Sequence, residues 1–252
     1  MNPLGSARAA GRALGFATWT SAVVYSQKAL SLLDSELATP WGKQRFIDTW
    51  SHGVIPLLGI DLKKVAGEVP EGGLGPFLVV ANHRSPLDIL VAIHLVGGVV
   101  LSHHGVRDIP VVGNAAEATD TIFVDRDDRR SGVRAIRSMR RALIEGRNLI
   151  VFPEGTTFTG DEVRPFMRGA FAAARGLDLV RVLPLGLAYR PGDEFFGESF
   201  RQHFGRMATR RRTPIWAAVG EPQPVPKTPE ETETLRQRVQ TLVDQASSAR
   251  DA

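Results

Sequence analysis

The 252-residue chain contains no cysteine. That excludes disulfides, thiolate-bound zinc and a cysteine nucleophile, while leaving the compartment open. No uninterrupted apolar run approaches the ~20 residues a bilayer-spanning helix needs. Arg8 and Arg12 precede an apolar patch, but Thr18, Thr20, Ser21, Gln27 and Lys28 dilute it too far for a signal-peptide core. There is no Gly-x-Ser-x-Gly elbow, which argues against a serine acyl-enzyme of the α/β-hydrolase type. A Walker loop and a Gly-x-Gly-x-x-Gly turn are also missing, so nucleotide hydrolysis and dinucleotide binding find no support. His83, His103, His104 and Glu154 show no recognisable ligand spacing, and adjacent histidines point opposite ways on a strand; no metal is expected. Aromatic and basic residues are not interleaved as in nucleic-acid binders, so nucleic acid is not an expected partner.

What is present suits a globular enzyme or binding domain. Apolar residues make up 43% of the chain, and the net charge is +4 with arginine dominant. A mild positive balance favours anionic partners such as phosphates, a coenzyme or a lipid surface. Residues 1–66 read as an N-terminal helical segment. Phe16, Trp19, Val23, Leu30, Leu33 and Leu37 recur at helical spacing, and a second segment carries Trp41, Phe46, Ile47, Trp50, Ile55, Leu57 and Leu58. Three of the four tryptophans fall here. Tryptophan favours the water–lipid boundary, so this pair of helices is expected to lie at a membrane interface rather than only to pack on the main domain.

From residue 67 to 252 strand and helix signals alternate. Strands are predicted at 77–81, 99–101, 121–124, 148–152, 182–189 and 215–219. Helices are predicted at 87–96, 131–145 and 168–176, and after Thr228-Pro229-Glu230-Glu231, a capping box with proline at the first helical position. The alternation predicts an α/β fold, a mixed, largely parallel sheet flanked by helices.

Three stretches could carry chemistry, each at the carboxyl end of a predicted strand, where α/β sheets bind ligands. In Asn82-His83-Arg84-Ser85-Pro86-Leu87-Asp88 the strand hands over to a helix, and Asp88 lies within reach of the His83 imidazole. An imidazole held by a carboxylate is a good general base. The same Ser85-x-x-Asp88 spacing also reads as a capping box. Phe152-Pro153-Glu154-Gly155-Thr156-Thr157 offers a carboxylate and two hydroxyls to a ligand, and equally reads as a plain turn. Thr121 to Arg126 delivers Asp125 and Arg126, and arginine can hold a phosphate bidentately. Helix 131–145 shows Arg134, Arg137 and Arg141 on one face, suited to anionic headgroups, coenzyme phosphates or an acidic carrier protein. A second basic cluster runs from Arg206 to Arg212.

In this order the blocks resemble the glycerolipid acyltransferase family, whose bacterial members include 1-acyl-glycerol-3-phosphate acyltransferases. The family's His-x4-Asp block matches Asn82 to Asp88, and its Phe-Pro-Glu-Gly-Thr-Arg block matches Phe152 to Thr156. Two further blocks resemble Thr121 to Arg126 and Val182-Leu183-Pro184-Leu185. The resemblance implies that His83 is the general base, that Asp88 orients it, and that a lysolipid hydroxyl attacks the thioester of acyl-CoA or acyl-carrier protein directly. No cofactor beyond that co-substrate is implied. Glu154, Gly155, Thr156, Thr157 and Arg168 would help bind the acceptor, and Arg126 its phosphate. The implied acceptor is 1-acyl-glycerol-3-phosphate, giving phosphatidate at the cytoplasmic face of the membrane. Thr157 stands where the family usually has arginine, which opens the alternative of lyso-ornithine lipid. A non-enzymatic module binding anionic lipid is the contrasting reading.

Overall fold

The computed structural model describes residues 3–70, 76–109, 111–125 and 127–252. The apolar run Phe77–Ala81 is strand β2, buried along its whole length. A strand covered on both faces needs such a continuous run. Alternation sends Phe77, Val79 and Ala81 to one face and Leu78 and Val80 to the other, where they enter two separate cores. Strand order is β1 (Ile60–Ala66), β7 (Thr213–Val219), β6 (Arg181–Ala188), β2, β5 (Leu149–Val151), β3 (Val99–His103) and β4 (Ile122–Val124), with β8 (Gln223–Pro224) on β6. β7 and β8 run antiparallel to β6 and the other neighbours are parallel, the mixed, largely parallel sheet the sequence predicts.

On one face lie α1 (Pro3–Leu33), α2 (Pro40–Leu57), α3 (Leu87–Val96), α4 (Val112–Ala118) and α6 (Phe200–Thr209), which bury Val23, Trp50, Val91, Ala115 and Met207 against β2. The other face is covered by α5 (Arg129–Ile144) and α7 (Pro229–Asp251), through Met139, Leu143, Leu235 and Val239. The Thr228–Glu231 capping box that opens α7 forms as predicted. α5 starts two residues earlier than its apolar pattern suggests, because Asp128 caps it by accepting the Arg130 N–H. The expected helix at 168–176 is instead a 3-10 turn over Arg168–Phe171 followed by further turns. Three elements carry no clear sequence pattern: β1, α4 and α6. β1 is an edge strand whose Lys63 and Lys64 are exposed, and charges on such a strand blur the apolar alternation.

Of the expected N-terminal segment, the described residues are mainly helical from Pro3 to Leu57, and Ile60–Ala66 then supplies a sheet edge. α1 and α2 are locked together by their indoles. Trp19 donates to the Trp50 carbonyl at 3.0 Å, and Trp50 donates to Thr20 Oγ1 at 3.0 Å. Arg12 donates to the carbonyls of Arg210 (2.7 Å) and Arg211 (2.9 Å) just past α6, a favourable place for a cation at a helix carboxyl end. Among the described residues no helix is long and apolar enough to cross a membrane.

Candidate active site

His83 leaves β2 at its carboxyl end, and the loop from there to α3 is built around one carboxylate. Asp88, on the first turn of α3, is fully buried. Its Oδ2 accepts His83 Nδ1 at 2.8 Å and the backbone N–H groups of Arg84 (2.6 Å) and Ser85 (2.8 Å). Its Oδ1 accepts the hydroxyl of Tyr189 at 2.5 Å. A carboxylate with four donors in a dry setting has a single orientation, and it imposes one on the imidazole. The imidazole contact forms, but only half of the capping box does. Asp88 reaches back to the Ser85 N–H as a capping-box acid does, and its side chain binds His83 as well. The helix itself begins at Leu87, one residue later than a Ser85 N-cap requires, and Ser85 Oγ accepts the Leu87 N–H at 3.2 Å.

The accepted proton on Nδ1 leaves Nε2 as the basic nitrogen of His83. Among the described residues no group hydrogen-bonds Nε2. The ring stacks on Phe152 with centroids 4.3 Å apart and lines a cavity of about 370 Å³. Its walls are mostly apolar, with Phe16, Trp50, Ile89, Ile93, Val100 and Phe204 among them, and Gly155, Thr156 and Thr157 sit at the same margin.

Glu154 lies deeper than a turn residue would suggest. Its side chain is completely enclosed. Oε2 accepts the His83 N–H at 2.6 Å and Arg84 Nη1 at 2.8 Å, and Oε1 accepts the Arg164 N–H at 2.8 Å. Arg84 is itself buried, donating also to the carbonyls of His83, Gly160 and Glu162. Glu154 thus ties the loop after β2 to the loop after β5. Phe152 to Gly155 is a turn closed by Gly155 N–H on the Phe152 carbonyl at 3.0 Å, and Gly155 takes φ +83°, a conformation glycine adopts without strain. Arg168 is exposed and lines a separate recess beside Thr228 and Thr232 at the start of α7, away from this cavity. Arg126 lies outside the described residues. Arg206 and Arg210 of the second basic cluster are paired internally, with Glu198 and Asp193.

Sequence reading missed Tyr189, Arg84 and a second buried imidazole. Tyr189 has its phenol pKa pushed up by burial and then by the negative Asp88. It stays a donor. His203 on α6 is buried, with Nδ1 at 2.8 Å from Glu198 and Nε2 at 2.9 Å from Ser85 Oγ. Burial lowers its pKa, which Glu198 only partly opposes.

Residues 64–188, the stretch that holds all of these loops up to β6, match the acyltransferase family. A lyso-ornithine lipid O-acyltransferase of Pseudomonas aeruginosa is 33% identical over 84% of this chain and 79% of its own length. The chain belongs to the acyltransferase family. A lyso-ornithine lipid O-acyltransferase of Brucella abortus is 35% identical over 66% of each chain, and a 1-acyl-sn-glycerol-3-phosphate acyltransferase of Helicobacter pylori is 33% identical over 52% of this chain and 54% of its own. The crystal structure of the 1-acyl-sn-glycerophosphate acyltransferase PlsC from Thermotoga maritima shares the fold, with a TM-score of 0.65 over 95% of this chain and 97% of that one at 22% identity. This acyltransferase is accordingly an enzyme of lipid synthesis, with the α/β architecture of that neighbour.

Proposed function

We propose that this acyltransferase moves a fatty acyl chain from a thioester donor to the free hydroxyl of a lysolipid, with His83 as general base. The observation that carries this is the His83–Asp88 pair at the margin of an apolar cavity. The acceptor hydroxyl gives its proton to His83 Nε2 as its oxygen attacks the thioester carbonyl. Asp88 stabilises the imidazolium that forms. Collapse of the tetrahedral intermediate expels the thiolate, which takes the proton back from His83 and leaves as thiol. No acyl-enzyme is required, in keeping with the missing serine elbow and the absence of cysteine. The donor is acyl-CoA or acyl-carrier protein as co-substrate, and no dissociable cofactor takes part. The apolar walls suit the acyl chain.

The first acceptor reading, 1-acyl-glycerol-3-phosphate, is supported by the Helicobacter relative. The second, lyso-ornithine lipid, is supported by the Pseudomonas and Brucella relatives and by Thr157 in place of arginine. Among the described residues no lysine or arginine lines the cavity, which weighs toward an acceptor without a phosphate monoester. An acceptor panel decides: purified enzyme, one labelled acyl donor, and lysophosphatidate, lyso-ornithine lipid and neutral alcohols in parallel. Transfer to none of them removes the proposal.

The enzyme works at the cytoplasmic face of the membrane, bound peripherally through its first two helices. Of the twelve exposed large apolar side chains among the described residues, seven lie in the first 41 positions, including Leu32 (88% exposed), Leu33 (85%) and Trp41. Such apolar exposure beside the basic balance of the chain suits a lipid surface. Replacing Leu32 and Leu33 by serine should weaken sedimentation with anionic liposomes without lowering thermal stability. Undiminished sedimentation would assign those side chains no membrane role.

A further inference from the structure

One edge of the sheet, opposite β1, borders a second groove. β4 ends the strand order, and between its outer edge, α5 and α4 runs an open groove of about 750 Å³. Its floor holds Arg147, which is only 8% exposed. Arg147 Nη1 donates to Asp120 Oδ2 at 3.0 Å. Its Nε and Nη2, both buried, find no acceptor among the described residues. Desolvating two donors of a guanidinium without partners is costly, so an acceptor brought beside them is strongly favoured. Nε and Nη2 form the side-on edge of the guanidinium, whose parallel N–H groups match two oxygens of one anion.

The surroundings narrow the class of anion. Asp120 does not neutralise Arg147 by itself, because its Oδ1 is shared with Lys43 at 3.0 Å. Lining the groove are Arg107, Arg134, Arg141 and Arg147 against Glu117, Asp120 and Glu145. The hydroxyl-bearing Ser138 and Thr121 line it too, able to serve a third oxygen. A tetrahedral, multiply charged group suits this arrangement better than a planar carboxylate. The recessed floor also admits the end of a small molecule more readily than the convex acidic face of a carrier protein. Thr121 lines both this groove and the His83 cavity, so the two are neighbours.

We propose that this groove binds phosphate, and that the phosphate belongs to the nucleotide end of the acyl-CoA donor, whose thioester end serves His83. The assignment of the donor rests on the acyl-transfer reading. The phosphate site does not.

Calorimetric titration of the full chain with adenosine 3′,5′-bisphosphate, glycerol 3-phosphate and inorganic phosphate tests it. The bisphosphate should bind most tightly, and Arg147→Gln should weaken it at least tenfold. Because Arg147→Gln removes a buried charge and so endangers the fold, Ser138→Glu is the second variant. Ser138 is exposed on α5, so the fold should tolerate the change, and the new carboxylate should also weaken the bisphosphate at least tenfold and raise the KM for acyl-CoA. No binding of any of the three to the unmodified protein, or unchanged binding in Ser138→Glu, overturns the site. Binding of glycerol 3-phosphate or inorganic phosphate in preference to the bisphosphate overturns the donor assignment. His83→Ala should bind the bisphosphate as the unmodified protein does, so failure of the groove and failure of the catalytic reading are seen separately.

Discussion

Two imidazoles in this acyltransferase are built alike. His83 meets Asp88 and His203 meets Glu198, each through Nδ1 at 2.8 Å and each across five residues of sequence. They differ in what Nε2 faces. In His203 it meets Ser85 Oγ inside the core. In His83 it has no hydrogen-bond partner among the described residues and lies beside an apolar cavity. A carboxylate behind a histidine is therefore not what makes a base. A second nitrogen that opens on the cavity is what suits His83 to the proposed role, whereas the Glu198–His203 pair holds the loop before α3 through Ser85 Oγ.

The comparison can be broken in several ways. The largest effect is expected from His83→Ala, which should lower kcat by about 10²–10⁴-fold, the usual worth of a positioned base, with the melting temperature little changed. Full turnover in that variant would end the distinction between the two histidines. Tyr189→Phe removes a buried donor from Asp88 Oδ1 and should cost about 1–3 kcal/mol in urea unfolding, with only a minor loss of activity. His203→Gln should show the reverse balance from His83→Ala: a stability loss of about 1–2 kcal/mol by the worth of the hydrogen bonds it disturbs, and retained turnover. A collapse of kcat in a folded His203→Gln protein would make that residue part of the chemistry.

The smallest effect is a pH slope. Burial depresses the pKa of His203 and, together with repulsion from His52, that of His94. Below the ordinary value of 6.5 the unfolded chain takes up these protons before the folded one does. Stability should thus be complete above that pH and fall as pH drops through it toward the depressed folded values. Replacing His203 by glutamine should flatten the slope, as measured by denaturant midpoints between pH 7 and 5; an unaltered slope would put the titration elsewhere.

Much of this was legible in the chain. The uninterrupted Phe77–Ala81 run announced a strand covered on both faces, and Thr228-Pro229-Glu230-Glu231 announced the start of α7. The His83–Asp88 pair was legible because the loop is short and local sterics bring five residues within bonding distance. The burial of Glu154 was not legible, for a physical reason. A carboxylate in a turn looks available to solvent, and only the packing of Arg84 and the Arg164 amide around it shows that its oxygens are taken. Arg168 was misplaced because the segment after Arg164 folds into a 3-10 turn beside α7 instead of running along the cavity. Glu198 and His203 were visible at the same spacing as His83 and Asp88, yet nothing in that spacing says which imidazole is walled in.

By itself the sequence determined the fold class, the order of the central strands' apolar runs and the His83–Asp88 contact, since each depends on residues near one another along the chain. Tertiary structure alone decided which carboxylates are closed off and, among the described residues, which histidine nitrogen and which Arg147 donors lack a partner. Those properties depend on groups 27 to 118 residues apart being brought together, as with Arg147 and Asp120 or Ser85 and His203, and no local pattern encodes the water that such contacts exclude.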